Sequence, residues 1–235
     1  EEADHANIGF VVTALKPQGL RLAVEAYRID RRHGIAEIDP QYLLDNESLF
    51  PGLVERLAPS AGEAALGVPG RIALVNSTYQ NLARTVIEGI DAELSYDLTL
   101  AAVRYQFRAD VAWTTRYEET SQPGQPAVEL NGTYARPRWR GQLAAQAQWR
   151  QWTFGVDYDH VAAYADSTRV HEVESDRRLG AFLAYQWRDP AVSLRLGVQN
   201  LTERAPPFAD NVQGYVSSLS DPRGRIVSVS LRTRW

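Results

Sequence analysis

The chain has 235 residues, of which 44% are hydrophobic and 23% charged, and its 29 acidic and 25 basic side chains give a net charge of −4. This composition excludes a disordered tail, and the lack of a dense basic cluster argues against nucleic acid as a partner. Cysteine is absent, which excludes disulfides, thiolate metal sites and thiol nucleophiles. The chain starts at Glu1 without an initiator methionine or a signal segment, so we expect a processed product or a piece of a longer protein.

Apolar and polar residues alternate with a period of two along most of the chain, which is the pattern of strands with two different faces. In chain order the alternation predicts nine strands, near 3–15, 20–32, 71–97, 103–117, 136–149, 152–164, 174–188, 191–202 and 224–235. Most of them are about twice as long as the usual strand of about 5–6 residues. The 71–97 segment also allows a turn near Glu88-Gly89, which would change the count. No composition shift marks a domain boundary, so we expect one all-β domain over 1–235, built as an antiparallel up-and-down meander.

The connections between these strands alternate between short and long. Tight turns are expected at 16–19, 98–102, 150–151 and 189–190, and long loops at 33–70, 118–135, 165–173 and 203–223. Because the strands alternate up and down, every short turn falls at one end of the sheet. In the longest loop Asp39 before Pro40 has the pattern of a helix N-cap, and the spacing of Leu49, Leu53 and Leu57 predicts one helical face, so short helical turns are expected there.

Three features favour a transmembrane β-barrel over a soluble one. The strands reach the length of about 9–11 residues that a tilted membrane-spanning strand needs. Short turns at one end and long loops at the other are typical of outer-membrane barrels, which also carry aromatic girdles at both interfaces. The expected girdle residues are Trp113, Tyr117, Trp149, Trp152, Tyr164, Tyr185, Trp187 and Trp235.

The third feature is the charge on the polar face of the strands. The residues expected to share this face are Asp91, Glu93, Arg104, Arg108, Asp110, Arg195, Arg232 and Arg234. An arginine facing lipid at the bilayer midplane would cost about 2–4 kcal/mol, so in a membrane barrel this face must line the lumen. The alternative is a soluble β-barrel that turns the charged face to solvent.

The odd number of strands has a consequence for closure. If nine strands alternate in direction, the first and the last run the same way and cannot pair antiparallel. Bacterial single-chain membrane barrels have even strand numbers. We therefore expect an incomplete barrel, whose open edges would be unstable in isolation or in lipid.

Several short motifs lie near the C-terminus. They are Gly197-Val198-Gln199-Asn200-Leu201-Thr202, Ala205-Pro206-Pro207-Phe208-Ala209-Asp210-Asn211, Gly214-Tyr215 and Asp221-Pro222-Arg223-Gly224-Arg225, with 88–94 and 136–141 upstream. In combination they resemble the C-terminal barrel region of TonB-dependent outer-membrane receptors, over about Asn7 to Trp235. The resemblance implies that the plug domain, the energy-coupling box and about the first half of a 22-stranded barrel have no counterpart here. The family usually ends in phenylalanine, and Trp235 is the expected assembly signal in its place.

The resemblance implies a receptor for energy-coupled uptake of a scarce nutrient, such as a siderophore, cobalamin or a glycan, in the outer membrane of a Gram-negative bacterium. It implies no catalytic residue and no cofactor. The implied partners are outer-membrane lipid, the receptor's own plug domain, an inner-membrane energy-coupling protein and the barrel-assembly machinery. Phe208 and Tyr215 are the expected ligand contacts, and a loop with a purely structural role is the competing interpretation. Alternative functions are a self-contained small barrel, either a pore or a hydrolase with its site at the rim, and a soluble ligand-binding barrel.

Asp157, Asp159 and His160 invite an acid/base or metal interpretation. On a strand the two carboxylates share one face and the histidine points to the other. A polar pair facing the lumen is therefore expected instead of a chemical site. No Ser-His-Asp spacing and no phosphate-binding glycine pattern is present in the sequence.

Two loop motifs are interpreted in the same way. His171 beside Glu172 and Glu174 is a poor transition-metal site, because a single imidazole among carboxylates binds such ions weakly, and solvated loop charge is expected. Asn131-Gly132-Thr133 matches a glycosylation acceptor, but a tight turn is the expected structure in a bacterial outer-membrane protein.

Overall fold

The computed structural model describes residues 1–14, 19–187 and 192–233. Within these ranges the main element is an antiparallel sheet whose nine principal strands follow one another as a meander. These strands are β1 Glu2–Ala14, β2 Gly19–Glu37, β5 Tyr79–Leu100, β6 Val103–Thr120, β8 Trp139–Trp149, β9 Trp152–Val161, β12 Asp176–Gln186, β13 Val192–Gln199 and β14 Ile226–Thr233. The predicted all-β meander of nine long strands is confirmed.

Shorter elements occupy the long connections. They are α1 Pro40–Asp45, a 3-10 helix Glu47–Leu49, β3 Val54–Arg56, α2 Ala61–Ala65, β4 Ile72–Val75, β7 Val128–Glu129, β10 Tyr164–Ala165 and β11 Glu172–Val173. Strand β3 pairs with β4, β10 pairs with β11, and β7 pairs with β6. Among the described residues no helix has the length and apolar character that a membrane crossing requires.

The chain divides into two compact units. The smaller unit comprises Glu1–Asp4, Ile29–Val86 and Glu118–Val128, and the larger comprises the rest. In the smaller unit Ile38 and Leu43 are buried. The predicted N-cap is confirmed, because the Asp39 carboxylate accepts a hydrogen bond of 2.9 Å from the Tyr42 backbone N–H at the start of α1.

The prediction that Leu49, Leu53 and Leu57 share a helical face is wrong. The 3-10 helix ends at Leu49, and Gly52 then adopts a left-handed φ of 88°, which breaks the helical path. The chain continues into β3, and Leu57 follows that strand.

Two strand boundaries also differ from the prediction. The expected strand over 71–97 is split into β4 and β5, with 76–78 between them, and β5 runs without a turn through Glu88-Gly89. The turn expected at 98–102 is narrower, because β5 and β6 extend up to Ala101 and Ala102. These two residues have φ values of 48° and 65°, as a type I′ hairpin turn requires. The turns expected at 16–19 and 189–190 fall wholly or mostly outside the described residues.

In the larger unit the strand registers separate an apolar face from a polar one. One apolar row crosses five strands through Phe107, Ala145, Val156, Ala181 and Val198. The adjacent row, one residue away, runs through Arg108, Ala144, Asp157 and Gly180. The alternation predicted from the sequence is therefore kept from strand to strand. Phe182 is an exception, because it pairs with Gly155 and Gly197 on the polar side, where its ring contacts the Arg195 guanidinium.

Aromatic residues border the apolar face at both ends. At the end with the short turns Trp149 pairs with Trp152, and at the other end Trp113 pairs with Trp139. Trp139 and Trp149 are the first and last residues of the 11-residue strand β8. Ten steps of about 3.3 Å, tilted by about 40°, correspond to a band about 25 Å tall, the usual height of the apolar belt of a membrane barrel.

Candidate functional site

Two long loops of the larger unit, 162–175 and 200–225, pack on each other and are called the loop cluster below. Its small apolar core consists of Tyr164, Val173, Ala209 and Val216, all buried. The prediction that Tyr164 belongs to an aromatic girdle is wrong, because the β10–β11 hairpin turns its ring into this core. Burial raises the pKa of the Tyr164 hydroxyl to about 12.

Asn211 holds the middle of the 200–225 loop in place. Its side-chain amide donates hydrogen bonds to the Tyr134 hydroxyl, at 2.8 Å, and to the Tyr215 carbonyl, at 3.0 Å. From the other loop, the Ser167 hydroxyl donates to the Asp210 carbonyl at 2.9 Å. The loop cluster is therefore fixed by polar contacts as well as by its core.

The motifs at the two ends of the 200–225 loop act on its backbone. Asn200 adopts a left-handed φ of 50°. Its side-chain amide donates to the Arg204 carbonyl at 2.8 Å, and its Oδ1 accepts from the Arg204 N–H at 2.9 Å. At the other end the Arg223 guanidinium pairs with the Asp221 carboxylate at 2.5 Å, and hydrogen bonds from Arg223 lower the pKa of Asp221 to about 2. These motifs give the loop its shape.

The loop cluster surrounds a cavity of about 650 Å³. Phe208 lines this cavity and is 75% exposed. Tyr215 is half-buried and lies outside the cavity wall. The structure therefore brings only one of the two predicted ligand contacts to the cavity, and the contact of either residue with a ligand stays a prediction.

Six titratable residues also line the cavity, beside apolar ones. They are Asp166, His171, Glu172, Glu174, Arg204 and Asp210. Asp166 is almost completely buried, and hydrogen bonds from the Thr168 hydroxyl and backbone lower the pKa of its carboxyl group. Arg204 forms an ion pair of 3.7 Å with Glu174.

The sequence predicts solvated loop charge at His171, Glu172 and Glu174, and Asp166 is not among the predicted site residues. The signal for Asp166 was the Asp-Ser-Thr order, in which an aspartate typically accepts hydrogen bonds from the backbone two residues later. Among the described residues no three His, Asp or Glu side chains are grouped so that they could hold a metal ion.

The polar face of the sheet carries a second, shallower depression of about 410 Å³, and the charged residues that line it are Asp91, Glu93, Asp110, Arg140 and Asp159. Asp159 pairs with Gln142 in the polar row next to that of Asp157, whereas His160 pairs with Gly141 and stacks on the Trp139 ring at a centroid distance of 4.2 Å. The predicted separation of the two carboxylates from the histidine side chain is confirmed. Of the predicted polar-face and girdle residues, Arg234 and Trp235 lie outside the described residues.

Residues 131–133, which match a glycosylation acceptor in sequence, form a turn. Asn131 is buried and its side-chain amide donates to the Thr114 carbonyl at 2.8 Å, while Gly132 adopts a φ of 78°. This is the tight turn that the sequence favoured.

Comparison with known proteins gives a consistent result. A family model described as TonB dependent receptor-like, beta-barrel matches residues 1–201. A solved structure of a point mutant of the ferric enterobactin receptor from Pseudomonas aeruginosa is similar in fold, with a TM-score of 0.61 and 13% sequence identity. The match covers 97% of this chain and 30% of that receptor, so the chain spans less than a third of its length. No curated protein matches the sequence.

Proposed function

Since the chain belongs to the TonB-dependent receptor-like β-barrel family, we propose that it forms part of the barrel wall of an outer-membrane receptor for energy-coupled uptake of a scarce nutrient. The observation that carries the proposal is the family match over residues 1–201. The apolar band of about 25 Å between two aromatic borders supports it, because this is the surface that a barrel presents to outer-membrane lipid.

The open edges of the sheet support the proposal that 1–235 is one part of a larger barrel. In the part of the chain that the structure describes, β1 and β14 end the strand order and each has one neighbour. All 13 residues of β1 are exposed. Nine alternating strands leave β1 and β14 running in the same direction, which supports a barrel that further strands complete. In the proposed receptor, a plug domain lies inside that barrel. An inner-membrane protein supplies the energy that rearranges the plug.

The loop cluster is the proposed site of ligand capture from outside the cell. Its core and hydrogen bonds hold a cavity open beside the exposed Phe208 ring, and a rigid scaffold that presents an exposed side chain is typical of a recognition site. Ligand held there would be released inward when the plug rearranges. The polar face, with the depression lined by Asp91 and Asp159, is the wall along which it would pass.

Growth under nutrient limitation tests this proposal. A strain in which the gene is disrupted is compared with the same strain carrying an intact copy of the gene. Both are grown in media limited in turn for iron, cobalamin or a glycan carbon source. We expect a growth defect in one medium, and the complementing gene should fail to correct it in a strain that lacks the inner-membrane energy-coupling protein. Uptake that is independent of this protein would contradict the proposal and favour a simple pore.

A further inference from the structure

The cavity of the loop cluster carries more negative than positive charge. Its carboxylates are Asp166, Glu172, Glu174 and Asp210, against the single guanidinium of Arg204 and the imidazole of His171. The Arg204 guanidinium pairs with Glu174 at 3.7 Å and donates a hydrogen bond to the Ser175 carbonyl at 3.3 Å, so the two opposite charges offset each other and the other three carboxylates remain. An anionic ligand would be repelled by this wall, and a cationic ligand would be attracted to it.

Asp166 supplies a second and independent indication of a ligand. The residue is only 1% exposed and lines the cavity. Its Oδ1 accepts hydrogen bonds from Thr168, but among the described residues Oδ2 is buried and has no hydrogen-bond donor. The exposed His171 ring lies beside it, with Nδ1 3.5 Å from Oδ2. Buried carboxylate oxygens are nearly always hydrogen-bonded. Oδ2 contacts His171 but accepts no hydrogen bond from the described residues, so it keeps the capacity to accept one from a ligand.

Phe208 gives the cavity an apolar wall. The ring is 75% exposed, although its neighbour Ala209 is 1% exposed and fixed in the loop core. The backbone therefore holds the ring at the cavity and prevents it from folding into the core. An aromatic face close to carboxylates attracts cations that carry apolar groups.

We infer that the cavity of the loop cluster binds an organic cation, with an ammonium or guanidinium group directed to Asp166 and Glu172 and an apolar body against Phe208. This inference deepens the proposed function, on which it rests, by naming the chemical class of the ligand. An inorganic ion fits less well, since the described residues offer no group of three metal ligands.

Three probes that share a 4-fluorobenzyl group distinguish charge from apolar contact: 4-fluorobenzylammonium, 4-fluorobenzyl alcohol and 4-fluorophenylacetate. Their binding to the complete receptor in detergent is followed by fluorine NMR line broadening in a titration. We expect the cation to bind most tightly, the alcohol more weakly and the carboxylate least. Equal affinities, or preference for the carboxylate, would overturn the inference.

Variants locate the binding. Glu172→Gln combined with Glu174→Gln changes only exposed side chains, and it should weaken cation binding about fivefold while leaving alcohol binding unchanged. Glu203→Gln, whose carboxylate pairs with Arg225 away from the cavity, is the matched control. Phe208→Ala should weaken the binding of the cation about threefold, and Val212→Ala, fully exposed in the same loop, should not.

The outcomes separate this inference from the proposed function. Cation binding that is insensitive to Glu172→Gln/Glu174→Gln and to Phe208→Ala would overturn the inference, whatever the growth assay shows. Cation-selective binding that depends on these residues, together with uptake that is independent of energy coupling, would support the inference and contradict the proposed function.

Discussion

Two adjacent alanines of β8 test which face of the sheet meets lipid. Ala145 lies in the apolar row with Phe107 and Val156, whereas Ala144 pairs with Arg108 and Asp157 in the polar row. Ala144→Arg and Ala145→Arg make the same chemical change at two neighbouring positions. The two substitutions place the guanidinium on opposite faces of the same strand.

The expected loss of stability depends on how deep the substituted residue lies in the bilayer. Ala145 is six residues from Trp139 and four from Trp149, so it lies within about 3 Å of the middle of the apolar band, at about 2.5 Å of depth per tilted residue. Ala145→Arg should therefore lower the free energy of unfolding by about 2–4 kcal/mol. This corresponds to an equilibrium constant about 30 to 700 times smaller. Ala144→Arg places its charge between Arg108 and Asp157, where attraction and repulsion offset each other, and should change stability by less than about 1 kcal/mol.

The assay is urea titration of the complete receptor refolded into phosphatidylcholine vesicles, followed by tryptophan fluorescence and by heat-dependent migration on detergent gels. Ala145→Arg should shift the midpoint to lower urea, and Ala144→Arg should remain close to the parent. If Ala144→Arg destabilises the receptor as much as Ala145→Arg or more, the assignment of faces is refuted.

Three further predictions concern packing and loops. Asn200→Ala loses both hydrogen bonds to Arg204 and replaces a residue that tolerates a φ of 50° with one that favours other conformations. It should therefore lower the unfolding free energy by about 2 kcal/mol in the same titration, with Asn200→Asp intermediate. The pKa of Tyr164 is raised to about 12 in the folded protein, so the stabilisation that its neutral hydroxyl gives to the folded state is complete below pH 10 and is lost as the pH rises through 12. Tyr164→Phe should remove this alkaline loss of stability from a series of unfolding midpoints measured at increasing pH. Gly155→Ala would bring a Cβ within 2.2 Å of the Phe182 ring and should cost about 1–3 kcal/mol, and a double-mutant cycle with Phe182→Ala should show that the penalty depends on this ring.

The sequence was sufficient to predict the meander, because a period of two constrains every strand on two faces at once. A shift of one residue would have turned Ala145 and Val156 into the lumen and Asp157 into lipid. The turn at Ala101-Ala102 was harder to delimit. Neither residue is a typical turn former, and their positive φ values follow from the pairing of β5 with β6.

The loops were less predictable, since their structure depends on contacts between segments distant in sequence. Tyr164 lies near the end of β9, as a girdle residue would, and only its packing against Ala209 and Val216 shows that it belongs to the loop core. Asp166 is separated from Phe208 by more than forty residues of chain, so their common cavity depends on the way the two loops pack. Sequence motifs at Asn200 and Asp221 indicated a shaped loop correctly, because their hydrogen bonds are local.

The most direct test of the account uses the absence of cysteine in this chain. Val212→Cys introduces a thiol at a fully exposed position of the loop cluster, and Gln151→Cys introduces one in the two-residue turn between β8 and β9. Each variant of the complete receptor is treated with a membrane-impermeant maleimide on intact cells and after permeabilisation of the outer membrane. We expect Val212→Cys to be labelled on intact cells, because the loop cluster faces outside the cell. Gln151→Cys should be labelled only after permeabilisation, because the short turn faces the periplasm. Labelling of Gln151→Cys on intact cells, or protection of Val212→Cys until permeabilisation, would contradict the account.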